Sequence, residues 1–88
     1  MEYQLDFSEQ AQADIEFFKK SGNLSVLNKI FMFLEEITES PFTGTGKPEM
    51  LKYNLSGCWS RRINQEHRLI YEVINDEILI HSAKGHYY

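Results

Sequence analysis

Residues 47–71 read KPEMLKYNLSGCWSRRINQEHRLIY, and this stretch decides the fold. It holds short apolar alternations separated by turn formers. In residues 51–55, Leu51, Tyr53 and Leu55 alternate with Lys52 and Asn54; in 59–64, Trp59 and Ile63 alternate with Ser60 and Arg62. A period of two is the spacing of a strand with one buried face. A third run, mixed in character, spans 67–74. Ser56-Gly57 and Asn75-Asp76 supply the turns. Residues 77–83, centred on Ile78, Leu79 and Ile80, add a fourth strand. Successive hairpins predict an antiparallel meander. Alternation puts Lys52 and Arg62 on the polar side of their strands, away from Leu51, Leu55, Trp59 and Ile63.

Upstream, Tyr3 and Leu5 alternate with Glu2 and Gln4, a short strand over 1–6. Ser8 is placed to cap a helix that runs to about Lys20, with Glu9 in its first turn. Ala11, Ile15 and Phe18 form its apolar stripe, flanked by Phe17, and Gly22 ends it. Asn23 or Ser25 caps a second helix, where Val26, Leu27, Ile30, Phe31, Leu34 and Ile37 keep helical spacing until Ser40-Pro41. Gly44 and Gly46 lie in the segment 42–48. It lacks the GK[ST] ending of a phosphate-binding loop and reads as a flexible connector. The order βααββββ predicts an α+β fold: an antiparallel-rich sheet of about five strands, both helices on one face, the other face open. Ile15, Phe18, Ile30, Leu34, Leu51, Trp59 and Leu69 are the expected core.

A chain of 88 residues is expected to form one domain, residues 1–88. A single cysteine, Cys58, excludes an intramolecular disulfide and a cysteine metal cluster, and suits a reducing cytoplasm. No apolar run approaches a membrane span. The net charge of −4 is unevenly spread: residues 1–44 carry three lysines against eight acids, residues 45–88 six basic residues against five. An acidic support half and a mildly basic working half suit a local phosphate site better than a broad nucleic-acid track.

The basic half collects Glu49, Lys47, Lys52, Arg62 and Arg68, and a histidine, His86, arrives near the chain end. Carboxylate, guanidinium and imidazole are the parts of an acid–base site acting on a phosphodiester without a metal. Glu49 is the candidate base, set after Pro48; a plain surface glutamate is the alternative. His86 is the candidate acid, since imidazole exchanges protons near neutrality, and a frayed terminal histidine is the alternative. Arg68 is the candidate phosphate ligand, or else a salt-bridge partner of Glu66 or Glu72. Lys52, Arg62 and Lys47 read as substrate-positioning cations, and Arg61, on the other face, as structural. Tyr53 and Tyr87 can stack on bases or belong to the core. His67 and His81 have no carboxylate or cysteine at ligand spacing, so no metal or cofactor is implied.

The words Pro41-Phe42, Gly44-Thr45-Gly46-Lys47-Pro48-Glu49, Leu51-Lys52, Asn54-Leu55-Ser56-Gly57, Trp59-Ser60-Arg61-Arg62-Ile63, Glu66-His67-Arg68-Leu69-Ile70-Tyr71 and His86-Tyr87 occur in order. The series resembles the YoeB/Txe family, the toxin half of bacterial type II toxin–antitoxin pairs, in the RelE-like superfamily. The resemblance implies a RelE-like fold and metal-independent cleavage of mRNA in the ribosomal A site. It also implies a cognate YefM/Axe-like antitoxin and allows a homodimer. Glu49 and His86 match the family's catalytic glutamate and terminal histidine, and Tyr87 joins the catalytic set with Arg68. The chain departs from the pattern at Tyr88, an added residue, and at Lys84-Gly85, where relatives often carry an arginine and an aromatic. A toxin of the same fold acting on another target, such as gyrase, and a non-catalytic interaction module are the competing readings.

Overall fold

The computed structural model describes residues 2–85. The chain runs β1 (Gln4–Phe7), α1 (Glu9–Lys20), α2 (Leu24–Ile37), β2 (Glu49–Met50), a 3-10 turn (Tyr53–Leu55), β3 (Cys58–Arg62), β4 (Arg68–Ile74) and β5 (Glu77–Ser82). Ser8 caps α1, its hydroxyl accepting from the Ala11 N–H, and Asn23 caps α2 by accepting from the Val26 N–H. The Ser8 hydroxyl also donates to the His81 carbonyl at 2.7 Å, which ties the start of α1 to β5.

The sheet order is β1-β5-β4-β3-β2. The meander from β2 to β5 is antiparallel, but β1 lies parallel to β5, so the sheet is mixed. β5 returns in the direction of β1 and closes the sheet against it. Both helices pack on one face. There Ala11, Phe18, Val26, Ile30, Phe33 and Ile37 bury against Leu69, Tyr71, Ile78 and Ile80. Ile15 and Trp59, expected in the core, are half-buried at its margin. On α2, Phe33 rather than Phe31 faces the sheet. Val26, Ile30, Phe33 and Ile37 follow the i, i+4, i+7, i+11 line, and Phe31 falls outside it and is exposed.

Residues 51–55 are not a strand. β2 stops at Met50, and residues 52–57 form the hairpin loop closed by the Leu51 N–H on the Cys58 carbonyl, 2.9 Å. Alternation there is imitated by one 3-10 turn. Leu51 and Leu55 therefore do not join Trp59 and Ile63. They pack with Cys58 and Ile70 on the opposite face, which is partly covered rather than open.

Candidate functional site

The loop that delivers Glu49 is fixed by Arg61. That side chain, near the end of β3, is fully buried. Its Nη2 donates to the carbonyls of Ser40 and Thr43, 2.7 and 2.8 Å, and its Nη1 donates to the Thr45 carbonyl, 3.2 Å. Nη1 also pairs with the Glu36 carboxylate of α2, and Nε donates to the Tyr71 hydroxyl, 3.1 Å. Tyr71 in turn donates to the Pro41 carbonyl at 2.6 Å. Residues 40–45 are thus wrapped around one guanidinium, and the segment is a clamped connector, not a flexible one. Desolvation pushes the Glu36 carboxyl up, but hydrogen bonds from the Thr45 N–H and hydroxyl and from Arg61 outweigh it and leave the group below the ordinary glutamate value. Burial pushes the Tyr71 phenol up, against the pull of Arg61.

Gly44 and Gly46 serve this clamp. Their φ angles are +123° and +79°, and a Cβ at Gly46 would lie 2.6 Å from the Phe33 ring. The glycines let the chain pass over α2, which explains them without a phosphate cradle. The Arg62 N–H bonds the Gly46 carbonyl at 2.7 Å. Lys47 follows with φ +52°, an uncommon angle for a residue with a side chain.

Register then gathers the predicted residues on the sheet face away from the helices. Glu49 stands opposite Ser60, and Ser60 opposite Ile70; Arg62 stands opposite Arg68. Arg62 is two residues from Ser60 on the same face, a step of about 7 Å. Glu49, Arg62 and Arg68 thereby share one patch, with the buried Ser60 between them. Lys47 and Arg62 also line a depression of about 420 Å³ with Lys29, Asn64 and Gln65. Lys29 comes from α2, and nothing in its own stretch of sequence links it to the strands. Tyr53 is 91% exposed with φ +61°, so it is not a core residue. Lys52 is exposed next to it.

The last described residue reaches this patch. The Arg68 N–H donates to the Gly85 carbonyl, 3.0 Å, and the Gly85 N–H donates to His67 Nδ1, 2.9 Å. The His67 ring packs edge-on against Phe18, so His67 is a structural tether. Lys84 lies over the Phe17 ring, its Nζ 4.1 Å from the centroid. The expectations for His86 and Tyr87 fall outside the described residues. The patch as described holds a carboxylate and two guanidiniums within a few strand positions, a set that can bind a phosphodiester and take a proton beside it.

Farther along the same face, His81 has partners that its linear spacing concealed. Its Nε2 is 2.9 Å from Glu72 Oε1, and Glu72 stands directly opposite Cys58. Burial and the Glu72 carboxylate push the Cys58 thiol up. Asp14 of α1 was another silent residue. It is buried and accepts from the Ala83 N–H, 2.9 Å, and from the Gln10 amide, 2.8 Å. Neither Asp14 nor Glu36 carries a sequence signal, because each is matched to a group remote in the chain.

Residues 7–87 match the family described as the YoeB-like toxin of bacterial type II toxin–antitoxin system. The toxin YoeB of Escherichia coli is 42% identical over 83 residues, covering 94% of this chain and 98% of that protein. The toxin YoeB of Synechocystis is 44% identical over 92% of this chain and 93% of its own length. Among solved structures, a YoeB–YefM complex from Staphylococcus aureus aligns with a TM-score of 0.86 at 43% identity, covering 99% of this chain and 100% of that one. A YoeB dimer from the same organism gives 0.87 at 42% identity, with the same coverage.

Proposed function

The chain belongs to the YoeB-like toxins of bacterial type II toxin–antitoxin systems, and from that premise we propose that it is a ribosome-dependent mRNA endoribonuclease. The observation that carries the reading is the register that sets Glu49, Arg62 and Arg68 on one sheet face with Gly85 held against Arg68. Glu49 takes the proton of the RNA 2′-hydroxyl. The 2′-oxygen attacks the adjacent phosphorus, and the bond to the 5′-oxygen breaks. Arg68 receives the developing charge on the phosphoryl oxygens in a bidentate fork. His86, one residue beyond Gly85, protonates the leaving oxygen, with Tyr87 beside it. Arg62, Lys47 and Lys52 position the backbone, and Tyr53 stacks on a base. The chemistry asks nothing of a metal, because RNA supplies its own nucleophile.

The partners follow from the same reading: mRNA in the ribosomal A site, a YefM/Axe-like antitoxin in the cytoplasm, and a second copy in a homodimer. An acidic antitoxin segment that orders on binding suits the basic depression lined by Lys29, Lys47 and Arg62. Among the described residues no helix is long and apolar enough to cross a membrane.

The test uses purified protein, programmed ribosomes and EDTA. Cleavage should persist and leave a 2′,3′-cyclic phosphate or its hydrolysed form. A message with 2′-deoxyribose at the cleaved position should remain intact. Glu49→Gln, Arg68→Lys and His86→Ala should each lower the single-turnover rate by about 10²-fold or more with the fold retained. Cutting of the deoxy substrate, or full activity of His86→Ala, would overturn the mechanism.

A further inference from the structure

Three neighbouring strands bring a thiol, a carboxylate and an imidazole together on the face away from the helices. Cys58 of β3 stands directly across from Glu72 of β4, and His81 of β5 reaches Glu72 from the other side. The ligand-capable atoms of the three residues all lie within 4.8 Å of one another. His81 arrives there because the β4–β5 ladder shifts register at Ile70/Tyr71. Ile70 pairs with Ser82 and Tyr71 with Ile80, leaving His81 as the extra residue of a bulge. Bulges of this kind re-aim a side chain. We propose that Cys58, Glu72 and His81 form a binding site for one zinc ion, separate from the phosphodiester chemistry.

The donor set selects the ion. Sulfur, imidazole nitrogen and one carboxylate oxygen suit zinc, whereas magnesium and calcium require oxygen alone. Bond lengths of about 2.0–2.3 Å place tetrahedral ligands roughly 3.3–3.8 Å apart. The Glu72–His81 pair at 2.9 Å has to open slightly, and the widest pair has to close by about an ångström. Both side chains keep about a third of their surface exposed, 33% and 36%, and have room to do so, while Cys58 is buried and fixed. On binding, the Cys58 S–H bond breaks, a sulfur–metal bond forms, and the proton leaves to solvent. Three protein ligands leave a fourth position. It opens on a cavity of about 510 Å³ whose wall includes Asn54, Ser56, Ser82 and Gly85. Such a site is exchangeable rather than closed. The ion also joins β3, β4 and β5, so it stabilises the sheet by mass action.

The experiment titrates the full chain, stripped of metal with EDTA, with Co²⁺ and then displaces it with Zn²⁺. One Co²⁺ per chain is expected, with a thiolate-to-cobalt charge-transfer band and the intense visible bands of tetrahedral cobalt. His81→Gln, Glu72→Gln and Cys58→Ser should each weaken binding by more than the roughly 10–100-fold that loss of an outer-sphere partner costs. Zinc should raise the melting temperature of the wild type and not of His81→Gln. Should Cys58→Ser fail to fold, the two half-exposed variants carry the same test. His67→Gln and His86→Ala should bind as the wild type does. Absence of the charge-transfer band, a stoichiometry other than one, or binding lost in His86→Ala but kept in His81→Gln would each overturn the site.

Discussion

Arg61 shows how one buried residue can set the course of a loop that carries another, Glu49. Its guanidinium satisfies the carbonyls of Ser40, Thr43 and Thr45 and pairs with Glu36. Arg61→Met leaves those acceptors without a donor and should cost about 3 kcal/mol in urea unfolding, with cleavage falling as the loop to Glu49 loosens. Glu36 gives this contact a pH signature. Its folded carboxyl sits below its unfolded value, so the native state binds fewer protons. The stabilisation is complete above the unfolded value and is lost as pH falls through the folded one. Melting of the wild type should therefore drop in that acid window, and Glu36→Gln should lack that component. Tyr53 behaves oppositely: at 91% exposure, Tyr53→Ala should change stability by less than about 0.5 kcal/mol while slowing cleavage on ribosomes. Arg61 reads as structural from its strand phase alone. What it binds was hidden, because Glu36 lies 25 positions away in sequence.

The elements differ in how plainly they were written. α1 and α2 declare themselves through caps and a 3.6-residue period, and Ser8, Asn23 and Gly22 stand where the helices begin and end. β3, β4 and β5 follow their apolar runs to within a residue or two. Residues 51–55 misled, because period two over five residues cannot separate a strand from a hairpin loop with a 3-10 turn. The parallel pairing of β1 with β5 is also a product of the assembled sheet: Leu5 meets Ile78 across 73 positions of chain. The connector 42–48 carried glycines that suggested looseness, whereas its φ angles and contacts show a tight passage. Gly46→Ala places a Cβ against Phe33 at a positive φ and should destabilise the fold by about 1–3 kcal/mol in equilibrium unfolding. The same change should reduce cleavage even at temperatures where the chain remains folded, because Lys47 and Glu49 follow directly.

Across the whole molecule, charge is partitioned: an acidic N-terminal half supports a sheet where Arg62 stands opposite Arg68 and shares a depression with Lys47 and with Lys29 of α2. With a net charge of −4, such a molecule has little long-range attraction for free RNA, and this local group of cations is its proposed hold on a phosphate backbone. Single-stranded binding loses affinity with salt at a log–log slope of about −0.7 per phosphate neutralised. On the proposed reading five cations, Lys29, Lys47, Lys52, Arg62 and Arg68, set a limit of roughly −3.5 on naked RNA, a shallow slope for an enzyme that finds its substrate unaided. The proposed reading assigns the missing positioning to the ribosome, which would convert a weak encounter into a fixed geometry. The expected result is slow cleavage of naked mRNA and fast cleavage of the same message on programmed ribosomes. Lys29 provides the internal control, since it lies on α2 and touches the site only through the depression it shares with Lys47 and Arg62. Lys29→Gln should make the slope on RNA shallower by about 0.7 and cost at most about 1 kcal/mol of stability, from the loss of its contact over the Phe33 ring. Equal cleavage rates on naked and ribosome-bound message would remove the need for the ribosome. A slope much steeper than about −3.5 would place the RNA on a larger surface than these five cations.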